Sequence, residues 1–172
     1  MNKRIACVLI PDFTLVVQLK EHPDLFGKPV ILAENGSNRS RVLYANIHAE
    51  NEGLSSGMTL VQAKNVCPEV CILIREEKGE QQRFDELLVK LQRFSPFIEE
   101  AKPGIAYLDA SGFRRMYPQE KNLAEKLITF VGTQGYPVKV GMAGNKFTSL
   151  TSASISEIYS YTIVPEGMEK NS

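Results

Sequence analysis

Residues 102–113 read Lys-Pro-Gly-Ile-Ala-Tyr-Leu-Asp-Ala-Ser-Gly-Phe, and this stretch decides the fold. A Pro-Gly turn followed by an apolar run that small and polar residues close is typical of the second arm of a β-hairpin. We expect the two arms over residues 97–101 and 105–110, with the second arm entering the middle of a sheet. The strand ends beside such a turn are also a place where a metal site could be built.

The first strand of that sheet is predicted over residues 4–10, a continuous apolar run typical of a central strand with both faces covered. The run is too short to span a membrane and lacks a small-residue cleavage site, so neither a membrane segment nor a signal peptide is indicated. Pro11 breaks the strand, and Asp12 is a candidate N-cap. Apolar residues then recur at helical spacing, which predicts a helix over residues 13–21.

The next segment is predicted to form a small α/β region. Strands are expected at residues 29–33, 41–45 and 70–74, the first two forming a hairpin around a polar loop, with a helix at residues 46–52. Gly53 and Gly57 fit turns with positive φ. Thr59-x-x-Gln62 is a capping box, which opens a helix that Pro68 ends.

The most regular helical pattern lies in residues 80–94, whose apolar positions recur at i, i+3, i+4, i+7 and i+10. Downstream we predict a helix starting at Pro118, a strand at 138–143, a helix at 145–159, a short strand at 161–164 and a polar tail at 165–172.

Without residues 23–95, the remaining order is strand, helix, hairpin, helix, strand. This is the split βαβ order of a ferredoxin-like α+β sheet with helices on one face, in which the hairpin's second arm lies antiparallel beside the first strand. Leu9 and Ile10 should therefore lie near Gly104 and Ile105.

The composition is typical of a soluble globular protein with one domain and a small subdomain. The chain has 172 residues, of which 43% are apolar, and its 20 Lys and Arg residues balance 20 Asp and Glu residues. Because phosphate neutralisation by Lys and Arg supplies most non-specific affinity for DNA, we expect this chain alone to bind DNA weakly.

The cysteines are predicted to be reduced, buried thiols of a cytoplasmic protein. Cys7, Cys67 and Cys71 lack zinc-ligand spacing, and only His22 and His48 could assist them. We therefore predict no metal or redox site from the cysteines.

Five ordered motifs resemble the Y-family translesion DNA polymerases, which are UmuC/DinB-like. The motifs are the run 4–18, the pair Ala-Asn-Ile-His-Ala-Glu at 45–50 and Gly-Leu-Ser-Ser-Gly-Met at 53–58, Ala-Lys-Asn-Val-Cys-Pro at 63–68, Ala-Tyr-Leu-Asp at 106–109, and Val-Gly-Met-Ala-Gly-Asn-Lys at 140–146. The resemblance implies a palm domain of residues 1–22 and 96–172 and a fingers subdomain of residues 23–95. The family's thumb and little finger would follow and are expected to be absent from this chain.

The resemblance also implies a two-magnesium site, with one Asp at the end of the first palm strand and an Asp-Glu pair at the start of the hairpin's second arm. In this sequence those positions match Leu9, Gly104 and Ile105. Magnesium requires oxygen ligands, which these residues' side chains do not provide. We therefore predict no catalytic residue, no metal ligand and no cofactor, although active family members use Mg²⁺.

The family's nucleotide-binding positions are altered as well. The steric-gate aromatic matches Thr14, the Tyr and Arg of the fingers match Ile47 and Glu50, and a Lys of the last helix matches Glu157, although Lys146 remains. Replacing Arg with Glu removes an attraction for phosphate and adds a repulsion.

Four other carboxylates are candidate replacements: Asp12, Glu99, Glu100 and Asp109. Asp109 lies about 13 Å along the strand from Ile105, too far to share a metal. Asp12 fits an N-cap better than a ligand, and one of Glu99 and Glu100 could lie near the cleft.

This pattern resembles the catalytically silent ImuB-like branch, which implies an accessory or scaffold role in bacterial DNA-damage tolerance. Such proteins work with DNA, a replicative-type polymerase and a sliding clamp, through segments expected to lie beyond Ser172. Two alternatives stay open: an active translesion polymerase fragment that uses displaced carboxylates, and a pure protein-interaction module.

Overall fold

The first strand, β1 (Ile5–Leu9), lies in the middle of a five-stranded sheet with the order β5-β6-β1-β7-β8 in the computed structural model, which describes residues 3–169. The other strands are β5 (Ile98–Lys102), β6 (Ile105–Asp109), β7 (Lys139–Ala143) and β8 (Tyr161–Ile163). Four of the five residues of β1 are buried, which confirms the prediction of a central strand.

The pairing of β1 with β6 follows the predicted register. The strands are antiparallel with Leu9 opposite Ile105, and the Ile10 amide donates to the Gly104 carbonyl at 2.8 Å. On its other side β1 pairs antiparallel with β7, which pairs parallel with β8. The four strands β5, β6, β1 and β7 therefore have the split βαβ order, and the predicted α+β class is confirmed.

Gly141 allows the last helix, α6 (Lys146–Ile155), to pack closely on β7. A Cβ atom at this position would lie 2.0 Å from the Ser149 carbonyl oxygen, a distance that backbone atoms cannot accommodate. Because Gly141 is paired with Cys7, α6 packs on the face of the sheet that carries Cys7.

Three helix bounds differ from the predictions. The predicted extension of α6 to residue 159 is wrong, because the backbone is extended at Ser156 and left-handed at Tyr159, where φ is 61°. Helix α5 (Glu120–Thr133) begins after Pro118 rather than at it, and a short 3₁₀ helix, Ser111–Arg115, precedes it. Helix α4 (Glu77–Leu91) begins and ends three residues before the predicted bounds, with acidic side chains in its first turn.

Arg4 is buried at the start of β1, with 1% of its surface exposed. Its guanidinium donates to both carboxylate oxygens of Glu120, at 2.6 and 2.9 Å, to Glu169 at 2.9 Å and to the Val164 carbonyl at 2.7 Å. These bonds join the first strand to the start of α5 and to the segment that follows β8.

A second sheet has the order β3-β2-β4 and is covered on both faces. Its strands are β2 (Val30–Ala33), β3 (Val42–Ala45) and β4 (Cys71–Ile74), with helices α1 (Phe13–Glu21), α2 (Ile47–Asn51) and α3 (Leu60–Val66). Leu15 of α1 packs with Val30 and Leu32, whereas Ile31 packs with Leu60 of α3. The predicted β2-β3 hairpin is confirmed.

The chain forms two units, one comprising residues up to Pro11 and from Phe84 onward, the other Asp12–Arg83. The palm and fingers bounds at 22/23 and 95/96 stay predictions. Helix α1 belongs to the second compact unit because it packs on β2 through Leu15.

Of the two helix caps predicted in the second unit, that of α3 forms fully and that of α1 forms without its side-chain bond. Thr59 and Gln62 form the predicted capping box. Asp12 occupies the predicted N-cap position of α1, but its backbone is left-handed, with φ at 50°, and its side chain makes no capping bond, so the position is confirmed and the capping bond is not. Gly53 and Gly57 take the expected positive φ.

The three cysteines are free thiols in the described part of the chain. Cys7 and Cys67 are buried as predicted, whereas Cys71 is half-buried, which corrects the prediction for that residue. Among residues 3–169 no helix is both long enough and apolar enough to cross a membrane.

Candidate functional site

The candidate site is the end of the sheet where β1 finishes and β6 begins. Leu9 and Ile105 are half-buried register partners, so their side chains lie on the same face of the sheet. Gly104 forms the hairpin turn with φ at 92°, a backbone conformation that favours glycine. The geometry therefore places the three predicted positions together, as the sequence indicated.

The residues at these positions do not fit magnesium, because none of their side chains has an oxygen atom. Among the described residues, no group of three or more His, Cys, Asp or Glu side chains could hold a metal ion. The Asp109 carboxylate accepts the Ser111 amide at 2.8 Å and lies opposite Ile5, at the other end of β1.

Glu99 and Glu100 lie on the first hairpin arm, opposite Tyr107 and Ala106 respectively. The Glu99 carboxylate forms an ion pair with the Lys146 ammonium at 2.5 Å, and this ammonium also lies 5.8 Å from the centre of the Tyr107 ring. The retained lysine therefore neutralises a carboxylate of its own chain.

A cavity of about 350 Å³ surrounds this ion pair, and its walls include Lys3, Phe97 and Asp109. Burial raises the pKa of the nearby Tyr107 phenol, with smaller contributions from Cys7 and Glu99. Burial also raises the pKa of the Cys7 thiol to about 12, so this thiol is neutral at physiological pH.

Thr14, which the resemblance matches to the steric gate, is hydrogen-bonded inside the second unit. Its hydroxyl donates to Glu80 Oε1 at 2.7 Å, and only 6% of Thr14 and 5% of Glu80 are exposed. The other oxygen of Glu80 accepts from Arg75 Nε at 3.1 Å. These two hydrogen bonds hold the Thr14 side chain in place, and the Thr14 hydroxyl proton is used in the bond to Glu80.

The two fingers positions lie on α2, where Ile47 is 61% exposed and Glu50 is exposed as well. The pKa of Asp12 is raised from its ordinary value, first by burial and then by the negative charge of Glu50. Glu50, which the resemblance matches to an Arg of the family, thus places negative charge near Asp12. Glu157, the fourth altered position, is exposed and lies beyond the end of α6 rather than within it.

Several residues of the matching motifs have structural roles. Asn46 caps α2 through the Ala49 amide and also bonds to Val30 and Lys28, thereby joining the helix to β2. Asn145 caps α6 through the Thr148 amide at 2.8 Å. Sequence reasoning missed Arg4 and Glu80, because their partners are far away in sequence and periodicity carries no signal for such pairs.

The strand order, the tight hairpin beside the central strand and the small second sheet match the fold of the palm and fingers of solved DNA polymerases. Two solved structures share this fold. A post-insertion binary complex of Dbh DNA polymerase aligns with a TM-score of 0.82 at 22% identity, over 95% of this chain and 48% of that one. DinB from Sulfolobus solfataricus aligns with a TM-score of 0.78 at 21% identity, over 94% and 48%.

The sequence profile described as the impB/mucB/samB family matches residues 8–153. This chain belongs to that family, the Y-family DNA polymerases. It is 27% identical over 168 residues to DNA polymerase IV of Dehalococcoides mccartyi, covering 97% of this chain and 43% of the relative. It is 26% identical over 159 residues to DNA polymerase IV of Clostridium kluyveri, covering 91% and 40%. The chain thus spans less than half the length of these relatives.

Proposed function

We propose that this chain is a non-catalytic palm and fingers module, of the ImuB-like type, that serves as an accessory or scaffold in bacterial DNA-damage tolerance in the cytoplasm. The observation that carries the proposal is which residues occupy the end of the sheet where β1 finishes and β6 begins. Leu9, Gly104 and Ile105 meet where the resemblance calls for three metal-binding carboxylates. Two-metal nucleotidyl transfer needs those oxygens to hold the ions that activate the primer hydroxyl and neutralise the phosphate.

The second unit supports the same proposal through its charges. Glu50 stands where the family has a triphosphate-binding Arg, and its charge helps to raise the pKa of Asp12. Two neighbouring carboxylates repel a triphosphate rather than attract it. In this proposal residues 1–22 and 96–172 are the palm, residues 23–95 are the fingers, and Ile47, Thr14 and Glu157 have no role in nucleotide binding.

The proposed partners are DNA, a replicative-type polymerase and a sliding clamp. With 20 basic and 20 acidic residues, this chain supplies little electrostatic attraction for DNA. We assign the clamp and polymerase contacts, and the firmer grip on DNA, to regions of a longer protein outside this chain.

Primer extension by the full-length protein tests the proposal. With a labelled primer-template, all four dNTPs and either Mg²⁺ or Mn²⁺, we expect no extension above the no-protein control. The full-length DNA polymerase IV of Clostridium kluyveri serves as the positive control. Extension that scales with protein concentration and requires the divalent ion would overturn the proposal.

The names of the relatives favour a second candidate, an active translesion polymerase that uses displaced carboxylates. Crystals soaked with Mn²⁺ and a dNTP would distinguish the two. Anomalous peaks for two ions near Leu9 and Gly104 would support the active enzyme. Salt-dependent binding to primer-template DNA would separate both candidates from a pure protein-interaction module, which should show none.

A further inference from the structure

A groove of about 490 Å³ lies between the end of α4 and the outer side of α5. Its walls are formed by two cations, three aromatic rings and two threonines, namely Arg93, Lys126, Phe94, Tyr117, Phe130, Thr129 and Thr133. We propose that this groove binds a nucleotide unit, that is, an aromatic base carrying a phosphate.

The charge of the groove favours an anion. Arg93 and Lys126 are both exposed, and no acidic residue is among the described residues that form its walls. Lys126 forms no ion pair within the described part of the chain, whereas Lys146 elsewhere is neutralised by Glu99. In a chain whose net charge is zero, this groove therefore concentrates positive charge.

The aromatic rings favour a flat partner. The Arg93 guanidinium lies 4.7 Å from the centre of the Phe130 ring, and Phe94 packs edge-on against the same ring at 5.3 Å. Tyr117 stacks on Phe113 at 6.0 Å, with an angle of 27° between the rings. Phe94 is buried and supports the Phe130 ring, so the exposed Arg93 guanidinium and the half-buried Tyr117 ring are the surfaces on which a nucleobase can stack.

The volume of the groove and the groups that form its walls together favour a nucleotide over a bare phosphate or an apolar molecule. The volume lies within the range of small-molecule sites, about 300 to 1,000 Å³. A bare phosphate would use the two cations but not the rings, and an apolar molecule would leave the two cations without a partner. A base with its phosphate uses both features.

The groove is separate from the candidate site. Its walls contain none of the positions matched to the family's metal or triphosphate ligands. The inference therefore stands whether or not the chain catalyses nucleotidyl transfer.

Binding measurements on the intact chain test the proposal. The probe is a fluorescein-labelled oligo-dT of about ten nucleotides, followed by anisotropy between about 50 and 200 mM salt. We expect Arg93→Ala, Lys126→Ala and Tyr117→Ala each to raise the dissociation constant about five- to tenfold, since stacking and phosphate contacts are lost. Lys64→Ala, an equal charge change at an exposed position of α3, is the matched control and should change the dissociation constant less than about twofold.

Competition distinguishes a free nucleotide from a strand. If dTMP displaces the oligonucleotide from wild type and this displacement weakens in Arg93→Ala, the groove accepts free nucleotides. If dTMP fails to displace it while the groove variants still weaken binding, the groove accepts a strand. The proposal is overturned if the groove variants bind like wild type, if Lys64→Ala has the same effect as they do, or if inorganic phosphate displaces the oligonucleotide at the concentration at which dTMP does. Unchanged circular dichroism melting curves exclude misfolding of the variants.

Discussion

The two ends of β1 differ in their side chains: a buried ion-pair network lies at the start, and an apolar pair lies at the finish. At its start, Arg4 is almost completely buried and its guanidinium bonds to Glu120, Glu169 and a backbone carbonyl. At its finish, Leu9 meets Ile105 across the sheet, and the apolar pair stands where the family resemblance calls for carboxylates. Four residues therefore separate a dense ionic network from an apolar pair whose other register partners are Lys139 and Lys102.

The difference indicates what the chain needs its charged residues for. Burying a guanidinium costs free energy unless carboxylates and carbonyls compensate, and at Arg4 they do so while joining three distant segments. A cluster of carboxylates without a metal is repulsive and stabilises nothing, so a fold that does not bind the ions gains stability by losing the cluster. The family residues that remain, such as Asn46 and Gly141, are those that the architecture requires.

The largest expected effect is at the charged end. Arg4→Met leaves Glu120 and Glu169 without their cation, and we expect the free energy of unfolding to fall by about 3 kcal/mol, as for other broken buried ion pairs. Denaturant titration measures the change, and Lys3→Met, at the exposed neighbouring cation, should change it by less than about 0.5 kcal/mol. Equal losses in the two variants would show that the network at Arg4 does not carry the stability assigned to it.

A smaller and reversible effect is expected at the apolar end. In the Leu9→Asp/Ile105→Glu variant two carboxylates face each other across the strands, and we expect a loss of about 1–2 kcal/mol without metal. Millimolar Mn²⁺ should restore stability by binding the folded state, by about 2.7 kcal/mol at a hundred times its dissociation constant. Thermal melting with and without Mn²⁺ measures both effects.

The matched control for that variant is Leu9→Asn/Ile105→Gln, which has similar side chains without charge. Its melting temperature should not respond to Mn²⁺, because amide oxygens alone hold the ion weakly. If the melting temperature of the carboxylate variant also fails to respond to Mn²⁺, the two positions are not close enough to share an ion. The apolar pair at the finish of β1 would then no longer support the loss of a metal site.

The smallest effect concerns the second unit. Glu50→Gln removes one of the two causes that raise the pKa of Asp12, so we expect this pKa to fall but to remain above its ordinary value because burial persists. NMR titration of the Asp12 carboxyl carbon measures it. An unchanged pKa would mean that Glu50 does not act on this carboxylate.

The raised pKa of Asp12 also determines how the stability difference between Glu50→Gln and wild type changes with pH. A carboxyl whose pKa is higher in the folded state contributes stability below its unfolded pKa, near 3.8, and loses that contribution as pH rises through the folded value. Glu50→Gln should therefore be slightly more stable than wild type at pH 7. Near pH 3, where Asp12 is protonated, this difference should disappear.

Local patterns in the sequence were enough to predict most of the fold. The apolar run of β1, the Pro-Gly turn and the capping box at Thr59 depend on neighbouring residues, and each element formed where the pattern indicated. The register of Leu9 opposite Ile105 followed because a tight hairpin leaves few ways to place its second arm beside a central strand.

Sequence by itself thus determined the order of the elements, the family and the absence of side-chain oxygen atoms at Leu9, Gly104 and Ile105, since side-chain chemistry needs no coordinates. Tertiary structure alone decided that Arg4 and Glu80 would be buried with distant partners and that the Asp12 side chain would form no capping bond. It also brought Arg93, in the turn after α4, beside Phe130 of α5. The physical reason is that ion pairs, left-handed backbone and grooves arise from contacts between segments, and those contacts leave no periodic trace along the chain.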